Sequence, residues 1–585
     1  MCGIIGYVGK KKCLNILING IKALEYRGYD SVGLAYYYKN KINIVKDIGR
    51  ISELEKNIDI DIDTNIGIGH TRWATHGKPN KVNAHPHKQG KITLVHNGII
   101  ENYIELKEEL IKIGYKFNGD TDTEVASAYI DYLYTKHNDI NTCLEKIKEI
   151  FIGSYALCVL CDDFIDTIFI TKKGSPMLLG INDNEKIIAS DISAIVGLTK
   201  KYIILDDNDI GIIKDNEYTI YNNFKKATKE ILSFDKDIEK ISKEGYPHYM
   251  LKEIHEQNTL LKNTIDYYIN NNLLNTLPDI SKYKNICIIA CGSAYHAGLV
   301  GKYYIEKHLN IPVNVELASE FRYKKLFINK DTLVIAISQS GETADTIEAV
   351  KIAKEHKCHT LGIVNTYKST IARICDEVIY INAGIEVAVA TTKAYSLQVL
   401  YLLLLSIKNK KIDIDEINKV YDIVTQTLNN SFENIAKKFK NYEHTFFIGR
   451  SVDYYLSLEG SLKLKEISYI HAESYAAGEL KHGTISLIDT NTPVIGIITD
   501  KKIASKTISN IKEVLARGAY VILICSDDIE IDNNAYHEIY RIPNNKYFKE
   551  ILAIINMQLL AYYVAKIKNC NIDKPKNLAK SVTVE

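Results

Sequence analysis

DTLVIAISQSGETADTIEAV, residues 331–350, holds the pattern that decides the fold of more than half of this chain. Its first third, from Thr332 to Ser338, is an apolar run without polar alternation, as expected of a strand buried on both faces of a parallel sheet. A polar turn follows, Ser338-Gln339-Ser340-Gly341-Glu342-Thr343, and then apolar residues recur at helical spacing. The turn thus joins the C-terminal end of a strand to the start of a helix, where unpaired backbone N–H groups and several side-chain hydroxyls suit a phosphate. A second role stays open for it, a helix simply capped by Ser or Thr.

Working outward, the strand–turn–helix rhythm starts near residue 284 with NICIIACGSAYHAGLVGKYYIEKH, whose strand also ends in a Gly-Ser turn carrying Ser293. It continues through VNVELASEF, HTLGIVN and EVIYINAG, and begins again with HTFFIGRSVDYYLSLEGSLKLKEI, TPVIGIITDKKIASKTISNIKEVLARG, YVILICSD and HEIYRIPN. Two copies of one parallel α/β domain account for this repetition. Within the second copy, Glu459, Lys463 and Glu466 stand at i, i+4 and i+7 on one helix face with apolar Leu462, Leu464 and Ile467 between them. That setting permits burial and pKa tuning, although such stripes are also ordinary solvated ladders. His482, beside Gly483, suits proton transfer or an ordinary surface position. The most apolar stretches, 397–407 and 551–565, fall short of the roughly 20 residues of a membrane span and are expected as core helices. By pattern alone the C-terminal NIDKPKNLAKSVTVE is a frayed tail.

The first 220 residues read differently, as many short β-favouring runs with helices at 12–26, 101–113 and 122–136. They predict an α+β domain with two mostly antiparallel sheets. Residues 222–262 are charged and alternating, and predict a linker running into a surface helix.

Chemistry-bearing residues concentrate in this first domain. Cys2 in MCGIIGY is either a core thiol or, once Met1 is removed, a nucleophile whose own α-amine can serve as base. GIGHTRWATHGKPNKVNAHPH, residues 67–87, packs Arg72, Trp73, Thr75, His76, His85 and His87 together, and Arg72 can clasp a carboxylate in two-pronged fashion. Asn97-Gly98 either supplies N–H donors to an oxyanion or makes a tight turn. Asp122 either caps a helix or meets an α-ammonium group.

These segments together resemble the class II glutamine amidotransferase family, a group of N-terminal-nucleophile hydrolases: Cys2-Gly3, Arg27 to Ser31, His70 to Gly77, His96-Asn97-Gly98 and Gly119 to Glu124. The resemblance implies Cys2 as nucleophile and base, Asn97 and Gly98 as oxyanion donors, and Arg72, Thr75, His76 and Asp122 as glutamine holders, supported by Arg27. Across the remainder, the turn at 338–343, the segment 459–483 and the terminal Asp573-Lys574-Pro575 with Asn577 to Glu585 resemble the glutamine–fructose-6-phosphate aminotransferase family. That likeness implies a sugar-phosphate site at Ser293, Ser338, Gln339, Ser340, Thr343 and Ala579. It assigns imine formation to Lys580, proton handling to Lys463, C1–C2 proton transfer to Glu466 and ring opening to His482. It further implies an ordered tail, an ammonia channel gated by Trp73, glutamine and fructose 6-phosphate as substrates, a homodimer sharing His482, and no cofactor or metal. The chain departs from the family at Ala294, Thr391 and Thr484.

The expected organisation is therefore multidomain: an α+β N-terminal-nucleophile hydrolase sandwich over 1–220, a linker and surface helix over 221–262, two α/β parallel-sheet sugar isomerase domains over 263–425 and 426–570, and the tail 571–585. A net charge of +1 from 73 basic and 72 acidic side chains gives no reason to expect nucleic acid or an anionic membrane. Eleven cysteines scattered in apolar runs, without a disulfide framework or a secretory leader, point to a reduced cytoplasmic protein. An amidotransferase acting on another phosphosugar and a sugar-phosphate-binding regulatory protein are the rival readings.

Overall fold

The structure, a computed structural model, describes residues 2–25, 27–74, 76–233 and 242–583. The chain divides into two compact units, one of residues 1–241 with 581–585, the other of residues 242–580.

In the first unit two antiparallel sheets are built as the short strand runs predict. One runs in the order Leu232–Ser233, Lys201–Ile204, Leu178–Asn182, Glu185–Ala189, Gly3–Gly9, Ile66–Arg72, Ser31–Tyr38, Lys41–Ile48. The other runs Lys225–Lys226, Tyr218–Asn222, Asp209–Ile213, Ile168–Lys173, Gly153–Cys161, Ile92–Ile100, His87–Gln89. Apolar side chains of both sheets, including Ile4, Ile68, Val95, Cys158 and Ile170, form one buried cluster, so the sheets pack face to face as a sandwich. Helices cover the outer faces: Cys13–Leu24 lies on the first sheet, and Asp122–His137 with Ile140–Ile150 on the second. Cys158 and Cys161 are both buried strand thiols.

The second unit contains two five-stranded parallel sheets of identical topology. The first is ordered Val313–Leu317, Asn285–Ala290, Thr332–Ser338, His359–Val364, Glu377–Tyr380; the second His471–Ala476, His444–Gly449, Pro493–Ile498, Tyr520–Ser526, Glu538–Ile542. Both read 2-1-3-4-5 in their own strand sequence, the doubly wound order in which ligands sit beyond the strands' C-terminal ends. A duplicated domain is therefore visible in topology as well as rhythm. One continuous core joins the copies through two apolar helices, Lys393–Ile407, buried along its whole length, and Lys549–Ile567. Lys549–Ile567 is long and apolar enough by composition to cross a membrane, but 83% of its apolar window is buried inside the protein, as expected of a core helix.

Residues 221–262 correct the sequence reading in two respects. Asn222, Lys225–Lys226 and Leu232–Ser233 still belong to strands of the sandwich. The helix Tyr249–Ile265 is not a surface helix: it buries Met250, Ile254, Leu261 and Ile265 in the core of the second unit. Those four positions form an apolar stripe that the many charges between them obscure.

Candidate active sites

In the sandwich unit, Cys2 stands at the start of the strand Gly3–Gly9, beside the end of the strand Ile66–Arg72, where Gly3 pairs with Thr71. The Trp73 N–H, just past that end, donates to the Cys2 sulfur at 3.2 Å. Burial pushes the Cys2 thiol up, opposed by the Trp73 N–H and by Arg72.

Asn97 and Gly98 lie inside the strand Ile92–Ile100 and not in a tight turn; Gly98 pairs with Tyr155 of the neighbouring strand. Gly98 has φ +122°, and a Cβ there would come within 2.0 Å of the Ser154 carbonyl oxygen, so glycine is required. The distortion sits next to Asn97, whose Nδ2 donates to the Cys2 carbonyl at 3.2 Å. Amide and thiol-bearing residue are thereby held side by side.

Arg72 is buried, its Nη2 donating to the carbonyls of His76 and, at 3.2 Å, Gly77. Its Nη1 is buried and has no hydrogen-bond partner among the described residues, which is the arrangement expected of a guanidinium built to receive a carboxylate. Asp122 opens the helix Asp122–His137 but is not its cap; Thr121 accepts from Glu124 N–H at 3.2 Å in that role. One Asp122 oxygen accepts from the Ile100 N–H at 3.0 Å. The His76 ring packs edge-on against Tyr103, and Trp73 edge-on against Tyr29. Arg27 is buried and donates to the Ser190 carbonyl at 2.8 Å and to Asp191 at 3.2 Å, a structural tie near the Cys2 strand. Thr75 lies outside the described residues.

In the second unit the turn 338–343 links the strand Thr332–Ser338 to the helix Ala344–Glu355. Thr343 precedes the helix without making a side-chain cap bond; its hydroxyl instead meets that of Ser338 at 2.9 Å. The Gly341 N–H donates to Ser338 Oγ at 3.0 Å, and the Gln339 carbonyl accepts from the Asn365 N–H at 3.1 Å. Gly341 has φ +66°, and a Cβ there would fall 1.9 Å from Ser369 Oγ, so the loop is wound more tightly than any other residue allows. Ser293, at the matching strand end, donates to Glu459 Oε1 at 2.8 Å, which ties it to the helix that carries Glu459, Lys463 and Glu466.

That helix, Val452–Ser468, carries the expected stripe and buries it: Glu459 and Lys463 are fully enclosed, and Glu466 is the accessible end. Lys463 Nζ donates to Glu466 at 2.6 Å and lies 3.5 Å from Glu459. Burial pulls the Lys463 ammonium down, but Glu466, Glu459 and the more distant Glu386 hold it above its ordinary value, so it is a fixed positive charge. Burial likewise pushes Glu459 up, while Lys463, His296 and Ser293 hold it below. A buried cation beside an accessible carboxylate can stabilise an enolate-like oxygen while the carboxylate moves a proton.

Lys580, in the irregular tail beside Ala579, donates to Glu386 at 2.5 Å and to the Ala388 carbonyl at 2.9 Å. The tail is tied down: Asp573 accepts from the Tyr249 and Met250 N–H groups at 3.0 and 2.9 Å, and its carbonyl accepts from Val389 at 3.0 Å. His482 is exposed in a short turn and makes no hydrogen bond or ion pair with the described residues.

Residues 56–243 match the glutamine amidotransferase domain family, and residues 279–408 and 438–567 each match the SIS domain family. The chain is 46% identical over 610 residues to a glutamine–fructose-6-phosphate aminotransferase (isomerizing) of Caldanaerobacter subterraneus, and 44% identical over 613 residues to that of Clostridium tetani, covering 100% of each chain in both cases. This chain belongs to the glutamine–fructose-6-phosphate aminotransferase (isomerizing) family. The solved C-terminal domain of glucosamine-fructose-6-phosphate aminotransferase from Francisella tularensis is 37% identical, with a TM-score of 0.51, covering 57% of this chain and 100% of that one.

Three residues that sequence reasoning missed contact the expected ones, or the loop that receives Lys580, in the structure. Glu386, completely buried, holds Lys580 and also accepts from Thr391 Oγ1 and the Thr392 N–H. His296 lies 2.8 Å from Glu459. Glu253 accepts from Val387 and Ala388 N–H groups and so shapes the loop that receives Lys580. The one available signal was Glu386 itself, an isolated acid in the run IEVAVA.

Proposed function

We propose that this chain converts fructose 6-phosphate and glutamine into glucosamine 6-phosphate and glutamate. Cys2, freed of Met1, attacks the glutamine amide, while Asn97 Nδ2 and the Gly98 N–H receive the developing oxyanion, Arg72 takes the α-carboxylate and Asp122 the α-ammonium group. Fructose 6-phosphate binds through its phosphate at the turn 338–343. Lys580 condenses with the open-chain ketone, losing water to form an imine. Glu466 carries the proton between C1 and C2 beside the charged Lys463. The freed nitrogen passes to the sugar without equilibrating with bulk ammonium, with Trp73 guarding its exit. The chain works as a homodimer in which the unpaired, exposed His482 serves the partner's sugar ring, in the cytoplasm.

The observation that supports this reading best is the orphaned Arg72 nitrogen beside the Cys2–Asn97–Gly98 group, in a chain that also buries Lys463 and ties down Lys580. A phosphosugar sensor has no use for the first group. The test incubates wild type, Cys2→Ala and Lys580→Ala with both substrates and measures glutamate and glucosamine 6-phosphate together. Cys2→Ala is expected to lose both glutamine-derived products, and Lys580→Ala to lose aminosugar while keeping glutamate release. Equal loss of both products in both variants contradicts the division of labour.

A further inference from the structure

Behind Asn97 lies a cluster of four buried histidines that the reaction outlined above does not use. His70, His85, His87 and His96 are each at most 4% exposed. His70 stacks on His85 with ring centroids 4.1 Å apart, and His85 faces His87 at 5.3 Å and His96 at 6.5 Å. Among the described residues no group of three or more His, Cys, Asp or Glu side chains is arranged to hold a metal ion. Two of the rings engage hydroxyls: His87 Nε2 lies 3.1 Å from the Thr121 hydroxyl and His96 Nδ1 3.1 Å from that of Thr123.

His70 differs from the others in its partner. Its Nε2 lies 3.0 Å from the His96 carbonyl oxygen and 3.1 Å from Asn97 Oδ1. A carbonyl oxygen only accepts, so Nε2 must carry the proton, and Nδ1, buried with no partner among the described residues, is left bare. Burial and the nearby Arg72 bring His70 down to about 3, so the ring stays neutral in this tautomer. The strand Ile66–Arg72, paired on both sides at His70 with Ile4 and Gly33, fixes the ring in place.

An asparagine amide is nearly symmetrical in shape, and an oxyanion donor that flips by half a turn presents an oxygen in place of its NH2. Here the flip is blocked at both ends. It would set Oδ1 against the Cys2 carbonyl oxygen and Nδ2 against the His70 N–H, an acceptor facing an acceptor and a donor facing a donor. We propose that His70 is a positioning residue for glutamine hydrolysis: its Nε2–H holds Asn97 Oδ1, so that the amide NH2 always faces the tetrahedral intermediate formed at Cys2. The stack on His85 keeps the ring in the plane this bond needs. This inference rests on the reading of Cys2 and Asn97 given above.

The test uses the full-length enzyme with His70→Leu, which removes the donor, and His70→Gln, whose amide restores one. Since loss of a whole oxyanion donor costs about 10²–10³ in kcat, loss of its orientation is expected to lower kcat for glutamate release about 10- to 100-fold in His70→Leu. KM for glutamine and inhibition by glutamate should stay within about twofold, because neither ground state forms an oxyanion. Binding of glutamate γ-semialdehyde, whose adduct with the Cys2 thiol mimics the intermediate, should weaken in proportion to kcat. His70→Gln should recover part of both losses. The rate of Cys2 alkylation by iodoacetamide, which needs no oxyanion hole, should be unchanged and reports that the thiol keeps its own reactivity. Equal weakening of glutamate and semialdehyde binding, or a His70→Gln enzyme as impaired as His70→Leu with Cys2 still normally alkylated, overturns the proposal. A wild type without glutamine hydrolysis would instead sink the reading of Cys2 itself.

Discussion

Gly98 shows how a single backbone position sets local geometry. From sequence, Asn-Gly has two roles, and the turn reading is the commoner one; the structure places the pair within a strand, where Gly98 has φ +122° and an added Cβ would meet the Ser154 carbonyl oxygen at 2.0 Å. Gly98→Ala is therefore expected to cost about 2 kcal/mol or more in strain and to abolish glutamate release. Parallel thermal melts and glutaminase assays check this, and an alanine enzyme with normal activity and melting point contradicts it. Asp453 offers a pH-dependent counterpart. Burial raises its carboxyl from 3.8 to about 7 despite hydrogen bonds from the Thr499 N–H and hydroxyl. Between those values the folded chain holds one proton more than the unfolded chain, so stability is full at acid pH and falls as pH rises through about 7. Asp453→Asn, which keeps both hydrogen bonds without a charge, should flatten that loss. It should gain roughly 1–4 kcal/mol relative to wild type at pH 8 compared with pH 5, read from denaturant midpoints at the two values. A constant difference between the two proteins at both pH values would exclude the role given to Asp453.

At the level of elements, strands and turns were legible where their residues did one job. The run Thr332–Ser338 is apolar because it is buried on both faces, and the following turn carries hydroxyls because it leaves a helix start open. Thr343→Ala removes the partner of the Ser338 hydroxyl and should raise KM for fructose 6-phosphate severalfold while leaving glutamine affinity unchanged; a matching rise in both constants would argue against a local phosphate role. Elements doing two jobs were harder to read. The helix Tyr249–Ile265 faces the core with one side while its polar groups bind elsewhere: its first N–H groups hold Asp573, and Glu253 holds the loop before Lys393. Its charges therefore made it look like a surface helix. The helix Lys393–Ile407 was read correctly as core because nothing polar competes along most of it. Leu400→Ala there should destabilise the second unit by about 2–5 kcal/mol, measured by thermal unfolding, with the sandwich unit's glutamine hydrolysis retained.

Across the whole molecule, the duplication was legible from rhythm alone, since each copy must repeat strand, turn and helix to bury one parallel sheet between layers. The contacts that complete the sites were not. Glu386 reaches Lys580 across 194 positions of chain, and Ser293 reaches Glu459 across 166, distances at which no local pattern speaks. The Cys2 group was legible only because five short motifs occur together, each being ambiguous when taken singly.

The proposed reaction requires that nitrogen taken from glutamine at Cys2 be the nitrogen that reaches the sugar. The direct measurement supplies the enzyme with fructose 6-phosphate, glutamine labelled with ¹⁵N at the amide, and a large excess of unlabelled ammonium, then determines the isotope in glucosamine 6-phosphate by mass spectrometry. Product is expected to carry nearly full label. Product labelled no more than the ammonium pool, or glutamate formed with no aminosugar, would contradict it.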